Sequence, residues 1–218
     1  MRILESRNKG FEQDLSTVLC QRQGELAEVE EVVRGIIAEV REAGDQALIR
    51  YTRQFDGVEI TPRRMEVPRE EWTGACRGLS KEALASLKRA AERIESFHRH
   101  ELRPSWFDAE QGVMRGQVVR PLARAGVYVP GGKAAYPSSL LMNVIPAKVA
   151  GVGEVLVLTP PSKEGPNPAI LAAAQLAGAD RVLMVGGAQA IAALCLWHKD
   201  GAASRYHRGA RKRLCDGG

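Results

Sequence analysis

The chain has 218 residues, 44% hydrophobic and 26% charged, a balance that gives a globular protein of one large domain or two small ones. No stretch approaches the roughly 18 uninterrupted apolar residues of a membrane span, and the charged segment Met1–Lys9 lacks the apolar core of a secretory signal, so no membrane partner and a cytoplasmic location are expected. The net charge of +5 does not point to nucleic acid, because the residues after Leu196 hold six basic side chains against Asp200 and Asp216 and leave about +1 for the rest.

Residues 25 to 53 read as helix, with Val29, Val32, Val33, Ile36, Ile37 and Val40 at helical spacing as the apolar face. Gly44-Asp45 interrupts this pattern, and Ala47 to Phe55 resumes it as a second helix with Asp45 as N-cap. Asp56-Gly57 is a turn, followed by short β-like segments that end at Pro62 and, through Met65-Glu66-Val67, at Pro68. Ser80 caps a longer helix from about Lys81 to His100, with Leu84, Leu87, Ala91, Ile94 and Phe97 as its stripe. His98 and His100 point in different directions on such a helix and share no metal; they suit its C-terminus as cations. Leu102 to Gly116 reads as an irregular connection, Gln117-Val118-Val119-Arg120 as a strand, and no catalytic constellation is visible in this first part.

From Gly126 the pattern changes to repeated strand then helix. Val127-Tyr128-Val129 breaks into Pro130-Gly131-Gly132 and leads to the apolar helix Leu140 to Val149, with Ser138 and Ser139 as candidate caps. Glu154 to Leu158 is followed by Pro160-Pro161 and the helix Ala169 to Ala177; Arg181 to Val185 meets Gly186-Gly187-Ala188-Gln189 and the helix Ile191 to Leu194. Such alternation predicts a parallel sheet whose ligand edge lies at the strand C-termini, which would bring both glycine turns to one edge. There Tyr128 offers a phenol to stack on or bond a ligand, and Gln189 an amide that both donates and accepts. Each also suits a plain structural role, as a strand tyrosine and a helix N-terminal glutamine. No dinucleotide-type GxGxxG is present. Cys20, Cys76, Cys195 and Cys215 lie too far apart for a zinc knuckle or a disulfide framework and read as free thiols.

Several of these runs carry a resemblance. Val127-Tyr128-Val129-Pro130-Gly131-Gly132, Tyr136-Pro137-Ser138-Ser139-Leu140-Leu141-Met142, Ile145-Pro146-Ala147-Lys148-Val149-Ala150-Gly151 and Gly186-Gly187-Ala188-Gln189-Ala190-Ile191-Ala192-Ala193-Leu194 resemble histidinol dehydrogenase. Gly44-Asp45-Gln46-Ala47-Leu48 and Phe55-Asp56-Gly57 are similar to that family as well, and the likeness runs from about residue 25 to Leu194. It implies an NAD-dependent, zinc-containing homodimer that oxidises L-histidinol through histidinaldehyde to L-histidine, the last steps of histidine biosynthesis. The implied NAD contacts carry over to Tyr128 and Gln189. The family's glutamate-histidine acid/base pair and zinc ligands have no counterpart in this sequence, so no catalytic and no metal residue is assigned, and zinc is not expected to bind. The implied fold is α/β: an incomplete Rossmann-like parallel-sheet domain at 121–194, inserted after a helical arm with small strands and the first part of another α/β domain at 1–120.

After Leu194 the sequence leaves the family's pattern, which continues as Ala-Tyr-Gly-Thr and later Gly-Pro-Gly-Asn. With suitable synonymous codons, Cys195 to Asp216 read one base out of frame gives that missing segment; Trp197-His198 yields the glycine for every spelling. Residues 195–218 are therefore expected to be an out-of-frame tail and the chain an inactive fragment. His198, His207, Cys195 and Cys215 lack the spacing of a structural zinc site. Two other classes stay open, a non-catalytic nucleotide-binding module and a nucleic-acid binder acting through the basic tail.

Overall fold

The computed structural model describes residues 4–130 and 135–196, side chains at 18–28 excepted. The β-favouring runs form a parallel sheet of β3 (Arg124–Tyr128), β4 (Glu154–Thr159) and β5 (Arg181–Met184), adjacent in that order. Register places Tyr128 beside Leu158 and Leu158 beside Leu183, so the three strands end at one edge. The crossovers are α5 (Pro137–Val149) and α6 (Pro168–Ala177), which pack on each other, and α7 (Gly187–Leu196) follows β5. All of β4 beyond Glu154 is buried, the mark of a strand covered on both faces.

The sequence before β3 adds helices that pack on α5, α6 and α7. Helices α1 (Phe11–Ala43) and α2 (Asp45–Tyr51) pack against α7, whereas α3 (Arg69–Gly78) and α4 (Lys81–Arg99) pack against α6 and α5. A single core runs through both parts, from Ile36, Leu48, Met65 and Trp72 to Leu140, Val157 and Val182. Trp72 is anchored as well as buried: its indole N–H donates to the Val67 carbonyl at 3.2 Å, and the Arg69 guanidinium lies 4.2 Å from its ring centre.

Several sequence expectations change here. The first helix starts at Phe11, and its inward stripe is Val33, Ile36, Ile37 and Val40, while Val29 and Val32 are exposed. Gly44 is the N-cap of α2 and Asp45 its first residue, and the helix ends in a π-helical turn at Thr52–Asp56. Ser80 does cap α4, accepting from the Ala83 N–H at 3.1 Å, but Phe97 faces outward and His98 takes the next inward position, four residues after Ile94. Ser138 and Ser139 lie inside α5, whose N-cap is Tyr136 and whose first residue is Pro137, preset for the helical φ. Helix α3 was not legible, since Gly74, Gly78 and a lone large apolar residue leave no periodic stripe.

The stretch read as irregular is an antiparallel hairpin, β1 (Trp106–Glu110) with β2 (Val113–Gln117). Its two-residue turn, Gln111-Gly112, has positive φ at both positions (50° and 81°), as a type I′ turn requires, and glutamine is an unfamiliar first residue there. Val118, Val119 and Arg120 form no strand; the Val119 N–H donates instead to Ser105 Oγ at 2.8 Å. The short run before Pro62 also stays irregular, but Met65–Val67 finds a partner in the outer edge of β5. There Val67 N–H donates to the Val182 carbonyl at 2.9 Å and Met184 N–H to the Met65 carbonyl at 2.7 Å. That antiparallel bridge shields an edge otherwise open to another chain.

Candidate functional site

The strand C-termini deliver Tyr128, Pro160 and Gly186 to one edge, and α7 opens there. Gly126 and Tyr128 share the face of β3 toward α7, by the two-residue alternation of a strand. At Gly126 a Cβ would stand 2.4 Å from Leu194 Cδ2, so glycine lets α7 lie close against the strand. That approach brings the end of β3 to the start of α7, where the Gly187 N–H donates to Tyr128 Oη at 3.3 Å.

Gly187 is required twice over. Its φ of +62° is one most side chains avoid, and a Cβ would lie 2.5 Å from Gln189 Oε1. The Gln189 amide is thus folded against the Gly187 backbone. It is 0% exposed, and neither Oε1 nor Nε2 has a hydrogen-bond partner among the described residues. A buried unpaired amide costs about 1–3 kcal/mol, an arrangement more readily kept where a ligand completes it.

A third polar group comes from the arm. Asp56 closes the π turn, and its Oδ1 lies 3.2 Å from where a Cβ at Gly186 would sit, beside Pro160. Its Oδ2 is buried without a partner among the described residues, and burial raises the carboxyl above its ordinary pKa of 3.8. Thr52 Oγ1, four residues earlier on the same turn, is likewise buried and unpartnered there. The turn itself is held from outside: Tyr51 stacks on Phe55 with ring centres 5.5 Å apart, and its hydroxyl is hydrogen-bonded to Glu39, which raises the phenol's pKa.

The two candidates from the sequence, Tyr128 and Gln189, therefore share one edge and meet through Gly187. Gly131 and Gly132, the other half of the first glycine turn, lie outside the described residues, as do His198, His207 and Cys215. Sequence reasoning missed Asp56, which it took for a turn residue; the Phe55-Asp56-Gly57 likeness was the signal that marked it. His98 pairs with Glu101 at the end of α4, far along the chain from this edge. Among the described residues no group of three or more His, Cys, Asp and Glu side chains is placed to hold a metal. No described helix is long and apolar enough to cross a membrane.

The family model of histidinol dehydrogenase matches residues 20–200. Histidinol dehydrogenase of Syntrophotalea carbinolica is 47% identical over 195 residues, covering 89% of this chain and 45% of that protein. The Aquifex aeolicus protein of the same name is 47% identical over 196 residues, again 89% of this chain and 45% of its own length. A crystal structure of histidinol dehydrogenase from Elizabethkingia anophelis superposes with a TM-score of 0.73 at 31% identity, covering 85% of this chain and 45% of that one. The chain thus spans about 45% of the length of the relatives it matches.

Proposed function

The chain belongs to the histidinol dehydrogenase family, and we propose that it carries the dinucleotide-holding part of an NAD-dependent oxidation of L-histidinol, through the aldehyde, to L-histidine. The observation that carries the reading is the Gln189 amide, fully buried and unpartnered among the described residues, at the edge where Tyr128 meets the start of α7. The residues present fit such a cofactor: an amide with a donor and an acceptor unused, and a phenol with its own proton to give.

Bound there, NAD would supply the hydride acceptor for the alcohol and aldehyde steps. Gln189 would bond a polar edge of the dinucleotide, and Tyr128 would position it while keeping its own bond from Gly187. Helix α7, fixed by Leu194 on Gly126, would hold both groups in place. Zinc does not fit the described residues, and no step is derived through it. No described residue is assigned as an acid or base for the hydroxyl proton.

The 218-residue chain should accordingly bind NAD without turnover. Calorimetric titration with NAD, beside an assay of histidinol-dependent NAD reduction with zinc added, tests both halves. No binding overturns the site; turnover at an ordinary enzyme rate overturns the division of labour. We also propose that residues 195–218 are read out of frame, supported by the shift to six basic against two acidic side chains after Leu196. The nucleotide sequence across codon 195 tests it, and a frame that continues in register past Leu194 with no base change rules it out.

A further inference from the structure

The contacts assigned to Tyr128 and Gln189 leave the Asp56 carboxyl unexplained. A helix N-terminus ordinarily favours an anion, through its free N–H groups and its dipole. At α7 the first of these N–H groups is engaged from inside the protein, and a carboxyl stands beside them. The Gly187 N–H is given to Tyr128 Oη, and the Asp56 carboxyl stands beside Gly186, with Oδ1 3.2 Å from a Cβ position there.

The hydrogen-bonding groups left over describe the ligand. Asp56 Oδ2 and Gln189 Oε1 are buried acceptors without donors among the described residues, against one unused amide donor, Gln189 Nε2, and the Tyr128 hydroxyl proton. A phosphomonoester dianion such as a 2′-phosphate has no proton to offer either acceptor, and it or inorganic phosphate would bring its charge against a carboxylate in a half-buried setting, where water screens little. Sugar hydroxyls donate to carboxylate and amide oxygen and accept from the amide N–H, so a vicinal diol complements the unpaired groups.

We propose that Asp56 is a specificity residue of this edge: it receives the hydroxyl-bearing, uncharged part of the dinucleotide and excludes phosphate, so that NAD is preferred to a 2′-phosphorylated dinucleotide. The proposal rests on the nucleotide reading given above. Asp56 reaches this edge only because the π turn ending α2 sets it there, with Tyr51 stacked on Phe55 on the outside of the same turn.

The test uses the 218-residue chain, with NAD, NADP and inorganic phosphate as separate probes and the backbone amide signals of Gly187 and Ala188 as reporters. Wild type should bind NAD at least about tenfold more tightly than NADP, and its reporter amides should not respond to phosphate. Asp56→Asn, nearly the same shape without the charge, should bring the NAD to NADP ratio towards one and make those amides respond to phosphate. A carboxyl with only a structural role would shift neither ratio nor response, and that result overturns the proposal, as does a phosphate response in wild type. Failure of NAD to bind wild type, with the phosphate arm as expected, overturns the nucleotide reading and upholds the exclusion of phosphate. Should Asp56→Asn not fold, Asp56→Ser repeats the comparison, and the phosphate titration of wild type still decides.

Discussion

The two ends of the parallel sheet treat polar groups in opposite ways. At the end where the strands start, charges are matched: Arg181 makes two bonds to Glu66 at 2.7 and 2.9 Å, Arg124 reaches Glu154 at 3.1 Å, and Lys148 pairs with Asp180. Asp180 also accepts from the Val155 N–H at 2.6 Å, and its carbonyl from Arg69 at 3.0 Å. At the end where the strands finish, Gln189, Asp56 and Thr52 bury polar atoms with no partner among the described residues. One sheet edge is completed by its own sequence. Its opposite edge keeps these atoms unpaired among the described residues, which is what the proposed site rests on.

Substitutions at the two ends should therefore separate stability from binding. The largest stability loss is expected from Asp180→Ala, which leaves the buried Val155 N–H and Lys148 without their partner and should cost about 2–3 kcal/mol in urea unfolding, with little change in NAD affinity. Gly187→Ala comes next, at about 1–2 kcal/mol, because it meets both a positive φ and the Gln189 amide; here binding should fall as well. Gln189→Leu sharpens the contrast most. It removes two unsatisfied atoms at similar volume, so stability should stay within about 1 kcal/mol of wild type or rise, while NAD affinity drops about tenfold. A loss of several kcal/mol in that variant would show the amide to be structural and erase the difference between the ends. Tyr128→Phe, which removes a long hydrogen bond, should cost about 0.5–1 kcal/mol and weaken NAD a few-fold.

The smallest effect is a pH dependence. Because burial raises the Asp56 carboxyl above 3.8, the folded state holds its proton more tightly than the unfolded chain. The resulting stability is fully present below the unfolded value and is lost as pH rises through the raised folded one. Urea midpoints of wild type and Asp56→Asn should diverge across that window, wild type gaining as pH falls. Parallel curves would mean that Asp56 feels no desolvation.

The exposed hairpin shows a third regime. Asp108, Arg115 and Glu110 pair on one face, whereas Phe107, Ala109 and Met114 line the other, with Phe107 and Met114 exposed. Each strand opens on two consecutive apolar residues, Trp106-Phe107 and Val113-Met114, so alternation is broken, and with no covering layer among the described residues no burial signal distinguished the segment from a loop.

Much of the architecture was legible because it depends on local chemistry. The valine-rich runs, the glycine breaks after them and the apolar helices between them specify strand, turn and helix by propensity and period, and Ser80 specifies a helix start through its own side chain. A parallel sheet followed from that alternation, and Tyr128 and Gln189 followed from lying at strand and helix ends on one predicted edge. Only the tertiary structure decided the rest. Whether Val32 or Val33 faces inward depends on where α7 lies, and Met65–Val67 becomes an edge only because β5 is there to pair. Asp56 joins the site through a fold that sets it beside Gly186, more than a hundred residues away in sequence. Burial and satisfaction of polar groups are properties of what surrounds a residue, and the surroundings of this edge are assembled from four separate segments of the chain.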